Sequence, residues 1–143
     1  MLGRDNTKVV TFDWQTALDF NGQAAPYIQY AHVRANSILR KLEEPLPGSV
    51  TPAYELEPTE IQLIDLISRL PGEVQRAAAE YKPLHLANIA YETAKAFTDF
   101  YNQCPVLKAE PEKRQARLRL VAAARQALTN TLILLGIEAP EVM

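Results

Sequence analysis

Apolar residues recur at helical spacing in several long stretches, and prolines and glycines separate those stretches. From Pro26 to about Leu42, the residues Ile28, Ala31, Ala35, Ile38, Leu39 and Leu42 share one stripe, as in a helix with a single packed face. Pro26 suits its first turn, because the missing N–H has no partner there and φ is already helical. Tyr27, Tyr30, Arg34, Ser37 and Lys41 form a second stripe roughly 110° round from the first. An aromatic and cationic flank therefore adjoins the packing face.

Residues 43–52 contain three prolines and one glycine and read as a loop. Pro58 opens a new helix, with Glu57 and Glu60 near the end the helix dipole favours for acids. Either Ile61, Ile64, Ile67 and Leu70 or Leu63 and Leu66 face inward. Pro71 and Gly72 predict a break, followed by a separate helix from about Glu73 to Tyr81. Pro83 opens a helix to about Cys104, in which Leu86, Ile89, Ala90, Thr93, Phe97, Phe100 and Cys104 lie within a stripe roughly 100° wide. Tyr101 sits at that stripe's edge. After a loop at 106–111, the last helix turns Leu118, Val121, Ala124, Leu128, Leu132 and Leu135 inward, and Gly136 caps it. Lys113, Arg114, Arg117, Arg119 and Arg125 are spread around this helix and read as a solvated face. At the start of the chain, Asp13 can cap a short helix through Leu18, with Trp14 as a core anchor. The tail from Ile137 reads as fraying. No strand-like alternation persists, so the expected fold is all-α, a bundle of four to five helices.

The bulk numbers narrow what such a bundle could do. Its 143 residues, 48% apolar, suffice for one core. No run of about eighteen apolar residues and no signal-peptide core occurs, so a soluble, cytoplasmic protein with no membrane partner is expected. A lone Cys104 with only His32 and His85 offers neither an internal disulfide nor a metal cluster. The net charge of −2 argues against coating DNA or RNA by charge alone, so any RNA site must be local. A glycine-rich phosphate loop, paired catalytic carboxylates and a nucleophile beside a base are all missing, which leaves no catalytic residue to nominate. The tyrosine flank keeps two readings: rings at a core edge with hydroxyls in water, or rings that stack on unpaired bases while Arg and Lys meet phosphate.

The order Phe12-Asp13-Trp14, Ala17-Leu18, Phe20, Gly22 and then Ala25-Pro26-Tyr27-Ile28-Gln29-Tyr30-Ala31-His32-Val33-Arg34 resembles arginyl-tRNA synthetase. Phe100-Tyr101-Asn102, Cys104-Pro105-Val106-Leu107, Ala116-Arg117-Leu118, Leu135-Gly136-Ile137, Pro140-Glu141 and Met143 are similar to the family's C-terminal pattern, in the same order. The resemblance implies a junction segment at 1–25, following a catalytic domain that is not in this sequence, and a helical anticodon-binding domain at 26–143. It implies contacts to the anticodon bases for Tyr101 and Met143, a surface where tRNA meets the domain junction along Tyr27, Tyr30 and Arg34, further tRNA-binding roles for Asn102 and Lys41, and an ordered, RNA-facing tail from Ile137 to Met143. Pro105 and Val106 would shape the pocket, although some family members carry a large aromatic near this turn and this chain does not. The implied partners are arginine tRNA isoacceptors and the parent enzyme's catalytic domain, with no DNA. That reaction joins arginine to the 3′ end of tRNA through an adenylate made from ATP. The family's His-Ile-Gly-His-like and Lys-Met-Ser-Lys-like signatures are absent here. ATP and Mg²⁺ are therefore expected for the missing catalytic domain, with no cofactor in this chain, which alone should be inactive. The alternative is a helical interaction or regulatory domain of the same fold that does not bind RNA.

Overall fold

The computed structural model describes residues 24–42, 45–46 and 48–143. The expected short helix, Trp14 and the proposed junction up to residue 23 lie outside the described residues. Four helices make up the rest: α1 (Ala25–Arg40), α2 (Pro58–Glu80), α3 (Leu84–Gln103) and α4 (Pro111–Leu134). Among the described residues there is no strand, and no helix is long and apolar enough to cross a membrane.

The stripe expected on α3 is the centre of the bundle. Leu86, Ile89, Ala90, Thr93, Phe97, Phe100 and the adjoining Cys104 are all buried, and the Phe97 and Phe100 rings lie 6.3 Å apart. Because this face is apolar over five turns, α3 can pack against every other helix. α1 covers it with Ile28, Ala31, Ala35 and Ile38, and α4 with Leu118, Val121, Ala124, Leu128 and Leu132. α1 and α2 each rest on α3 and α4 without meeting one another. Of the two possible stripes on α2, Leu63 and Leu66 are buried, while the other is divided, with Ile67 and Leu70 packed partly against the core and Ile61 and Ile64 exposed.

Three expectations change. Pro71 and Gly72 do not divide α2, which runs unbroken through both. Proline removes one helical N–H and leaves the Ile67 carbonyl without its helical donor, while Pro71 and Gly72 themselves are exposed. The turns on either side also pack on the same partner, α3. The helix ends instead at Tyr81, whose φ of 54° allows Lys82 N–H to reach the Ala77 carbonyl at 3.0 Å.

Arg117 is the second change: it is buried in an ion pair, with Nε 2.9 Å from Oε1 of the buried Glu60. Periodicity spread the basic residues of α4 evenly, but a charge is drawn inward when an acid on another helix awaits it. The third change is the tail. Gly136 caps α4 at φ 70°, with Ile137 N–H donating to the Leu132 carbonyl at 2.9 Å. The chain then turns back along α1, where Gln29 donates to the Glu138 carbonyl at 2.8 Å and Arg40 to that of Glu141 at 3.3 Å. Ile137 and Ala139 pack against the core. The chain is thus tied down as far as Glu141, seven residues past the helix.

Candidate nucleic-acid interface

A groove of about 370 Å³ opens between the second half of α1 and the turn that follows α3. α1 supplies Arg34, Ser37 and Ile38, together with its C-cap residue Lys41, spaced at three and four residues so that they share one face. The end of α3 supplies Tyr101 and Asn102, and the turn adds Pro105 through Lys108. Pro105 cannot continue a helix, so the chain leaves α3 here and folds back over the helix end. Val106 lines the groove yet is itself buried in the core. The rear wall is therefore part of the hydrophobic interior.

Arg34 organises the mouth. Its guanidinium carbon stands 4.7 Å from the centre of the Tyr30 ring and 4.7 Å from that of Tyr101. Nη2 also donates to the Tyr30 hydroxyl at 2.8 Å. A cation that contacts two rings fixes both, and both rings keep open surface, with Tyr30 52% and Tyr101 40% exposed. Among the described residues, Lys41 and Lys108 bring the cations in the groove to three, and no carboxylate lines it. The whole chain is acidic by two charges, but this surface is locally basic.

Six of the nine residues nominated from sequence thus line one groove: Arg34, Lys41, Tyr101, Asn102, Pro105 and Val106. Tyr30 adjoins it through Arg34. Tyr27 is elsewhere, half-buried with its ring 5.3 Å from that of Tyr91 on α3. Met143 is exposed and does not line the groove, although Glu141, two residues before it, is held by Arg40 beside Lys41.

This arrangement has counterparts of known family. Residues 28–143 match the DALR anticodon binding domain. The chain belongs to that family. It is 50% identical over 140 residues to the arginine–tRNA ligase of Methanothrix thermoacetophila, covering 95% of this chain and 24% of that protein. With the arginine–tRNA ligase of Chloroflexus aurantiacus it shares 45% identity over 145 residues, covering 99% of the chain and 25% of the relative. Among solved structures, the arginyl-tRNA synthetase of Thermus thermophilus superposes with a TM-score of 0.84 at 38% identity, covering 95% of this chain and 24% of that one. The chain spans about a quarter of the length of the relatives it matches.

The DALR domain also contains polar groups that sequence reasoning passed over. Lys108 was legible only as a loop lysine, because its partner residues lie on α1, far off in sequence. His32 is 3% exposed with both ring nitrogens bonded. The Pro140 carbonyl can only accept, so Nδ1 carries a proton and donates at 3.0 Å, while Nε2 lies 2.9 Å from the Thr129 hydroxyl, which also lies within hydrogen-bond reach of the Arg125 carbonyl. His32 thereby joins α1, α4 and the tail.

Burial pushes the His32 pKa below 6.5, assisted by the Arg125 charge and opposed by the bond to Pro140. An unfolded chain takes up a proton at His32 as pH falls through 6.5, whereas the folded DALR domain does so only at a lower pH. Stability from this group is therefore complete above the unfolded value and declines as pH drops from 6.5 towards the folded value. Urea midpoints at pH 7.5 and 5.5 should differ in that direction, and His32→Gln should shrink the difference. An unchanged difference in that variant assigns it to other groups.

Proposed function

We propose that this DALR domain binds the anticodon stem-loop of an arginine tRNA, as the recognition part of an arginine–tRNA ligase acting in the cytoplasm. The observation that carries this reading is Arg34 held against the Tyr30 and Tyr101 rings, at the mouth of a groove whose charged lining residues, among those described, are cations. Unpaired bases need flat, partly exposed π surfaces, and the loop's backbone needs cations that are not already matched by acids. Asn102 adds an amide that can both donate to and accept from a base edge. The brace supplied by Arg34 lowers the ordering cost of presenting the rings.

The described residues do not fit Mg²⁺: no three His, Cys, Asp or Glu side chains among them converge to hold an ion. In this reading, ATP and Mg²⁺ serve the catalytic domain of the ligase. What this chain contributes is the hold on the far end of the tRNA, which presents the acceptor end to that domain.

Tyr101→Ala should weaken binding of an arginine-tRNA anticodon stem-loop by about 1–3 kcal/mol, the usual value of one base–aromatic stack. Tyr101→Phe should retain most of the affinity, since only a hydroxyl is lost. A titration of the 143-residue chain with that stem-loop and with an unrelated one, at two salt concentrations, checks both. Equal affinity for the two RNAs at every salt would point to a bundle that has the fold without anticodon recognition.

A further inference from the structure

The turn that forms one wall of the groove is fastened to the rest of the molecule by a buried charge. Arg117 on α4 has two working edges: Nε donates to Oε1 of Glu60 at 2.9 Å, and Nη1 donates to the Pro105 carbonyl at 2.9 Å. Both charged side chains are almost fully buried, Arg117 at 5% and Glu60 at 1% exposure. Glu60 is held in turn by the Glu57 N–H and the Tyr54 hydroxyl, each at 2.8 Å to its carboxylate. The residue before Pro105 is tied to the same helix end, with Cys104 Sγ 3.5 Å from the Thr59 hydroxyl. The residue after it, Val106, is buried in the core. Three consecutive residues of the turn are each fixed by a different contact, and only the middle one depends on a backbone carbonyl held by a charge.

A pair of buried charges is a costly way to hold a turn if stability were all that it served, because well-packed apolar residues often do as well or better. A guanidinium does something those residues cannot: it fixes two acceptors in one plane at a set separation. We propose that Arg117 is a positioning residue for the groove, holding the Pro105 carbonyl so that the Pro105–Lys108 turn stands at the right distance from Arg34 and Tyr101 to receive RNA. This rests on the anticodon reading above. Being buried, Arg117 touches no phosphate itself. Its effect passes through the turn.

Arg117→Lys tests the proposal, because lysine keeps the positive charge beside Glu60 but gives up the two-edged geometry. Two measurements on the 143-residue chain decide it: the amide chemical shifts of Val106, Leu107 and Lys108, and the affinity for the arginine-tRNA anticodon stem-loop across a salt series. The expected result is shifted amides in the turn with a loss of affinity of roughly tenfold, while the slope of log affinity against log salt stays as in the wild type. Lys108→Ala is the contrasting variant, since removing a phosphate contact should lower that slope. A folded Arg117→Lys protein with wild-type turn shifts, or with moved shifts and unaltered affinity, overturns the proposal. So does a reduced salt slope in Arg117→Lys, which would mean that the side chain reaches phosphate. If the wild-type chain binds no stem-loop, the anticodon reading fails, and the amide shifts still decide whether Arg117 sets the turn.

Discussion

Phe97→Ala is expected to cost about 3–5 kcal/mol of stability, the range for removing a fully buried aromatic ring from a close-packed core. Phe97 has no exposed surface and lies in the middle of α3, the helix that touches all three others. Its ring neighbour Phe100 is equally buried, and the core they share is rich in alanine, with Ala35, Ala90, Ala94, Ala96 and Ala124 among its members. Small side chains on rigid helices cannot move in to fill the void, so the substitution should fall at the severe end. Denaturant melting of the variant, with the slope checked against the wild type, measures it. A loss under about 1 kcal/mol would show that the bundle collapses around the gap more freely than its packing implies.

The features that could be read in the sequence share a physical origin, which is local periodicity. The α3 stripe, the inner residues of α4 and the Gly136 cap each depend on residues a few positions apart, and each is present. The candidate site was partly legible for the same reason: Arg34, Ser37 and Lys41 share a face of one helix. Tyr27 belongs to that same stripe by angle, but Tyr91 on α3 takes up its ring. Helical angle says which way a side chain leaves the backbone and nothing of what waits there.

The failures have the opposite character. Pro71 has a strong local preference, overridden by packing of the whole of α2 on α3. Arg117 looked like any surface arginine because its partners, Glu60 and the Pro105 carbonyl, are 57 and 12 residues away. The tail shows the same limit, since its anchors on α1 are more than a hundred residues upstream. No periodicity in the last seven residues could have announced them. Family resemblance pointed to an ordered tail before any contact was known, whereas composition and spacing predicted fraying.

Glu60→Ala is the other substitution expected to be severe, at about 3–5 kcal/mol, the range for breaking a buried ion pair from one side. It strands the Arg117 cation in the interior and removes the acceptor for the Tyr54 hydroxyl and the Glu57 N–H, both in the stretch that leads into α2. Burial by itself would raise the Glu60 pKa, but the Glu57 N–H, Arg117 and Tyr54 outweigh it and hold the carboxylate below its ordinary range. The same bonds keep the Tyr54 hydroxyl protonated, with a pKa pushed up to about 12 by burial and by its bond to Glu60. For a depressed carboxyl the sign is fixed. Its contribution is complete above the unfolded pKa and is lost as pH falls from there through the folded value. Wild-type stability should therefore drop on acidification through the carboxylate range, and that part of the drop should vanish in Glu60→Ala. The double variant Glu60→Leu/Arg117→Met separates charge from packing: with neither charge left unpaired, it should recover much of the loss. A single variant that melts within about 1 kcal/mol of the wild type would mean that the stranded arginine finds water. The Pro105 turn would then have another way to stay in place.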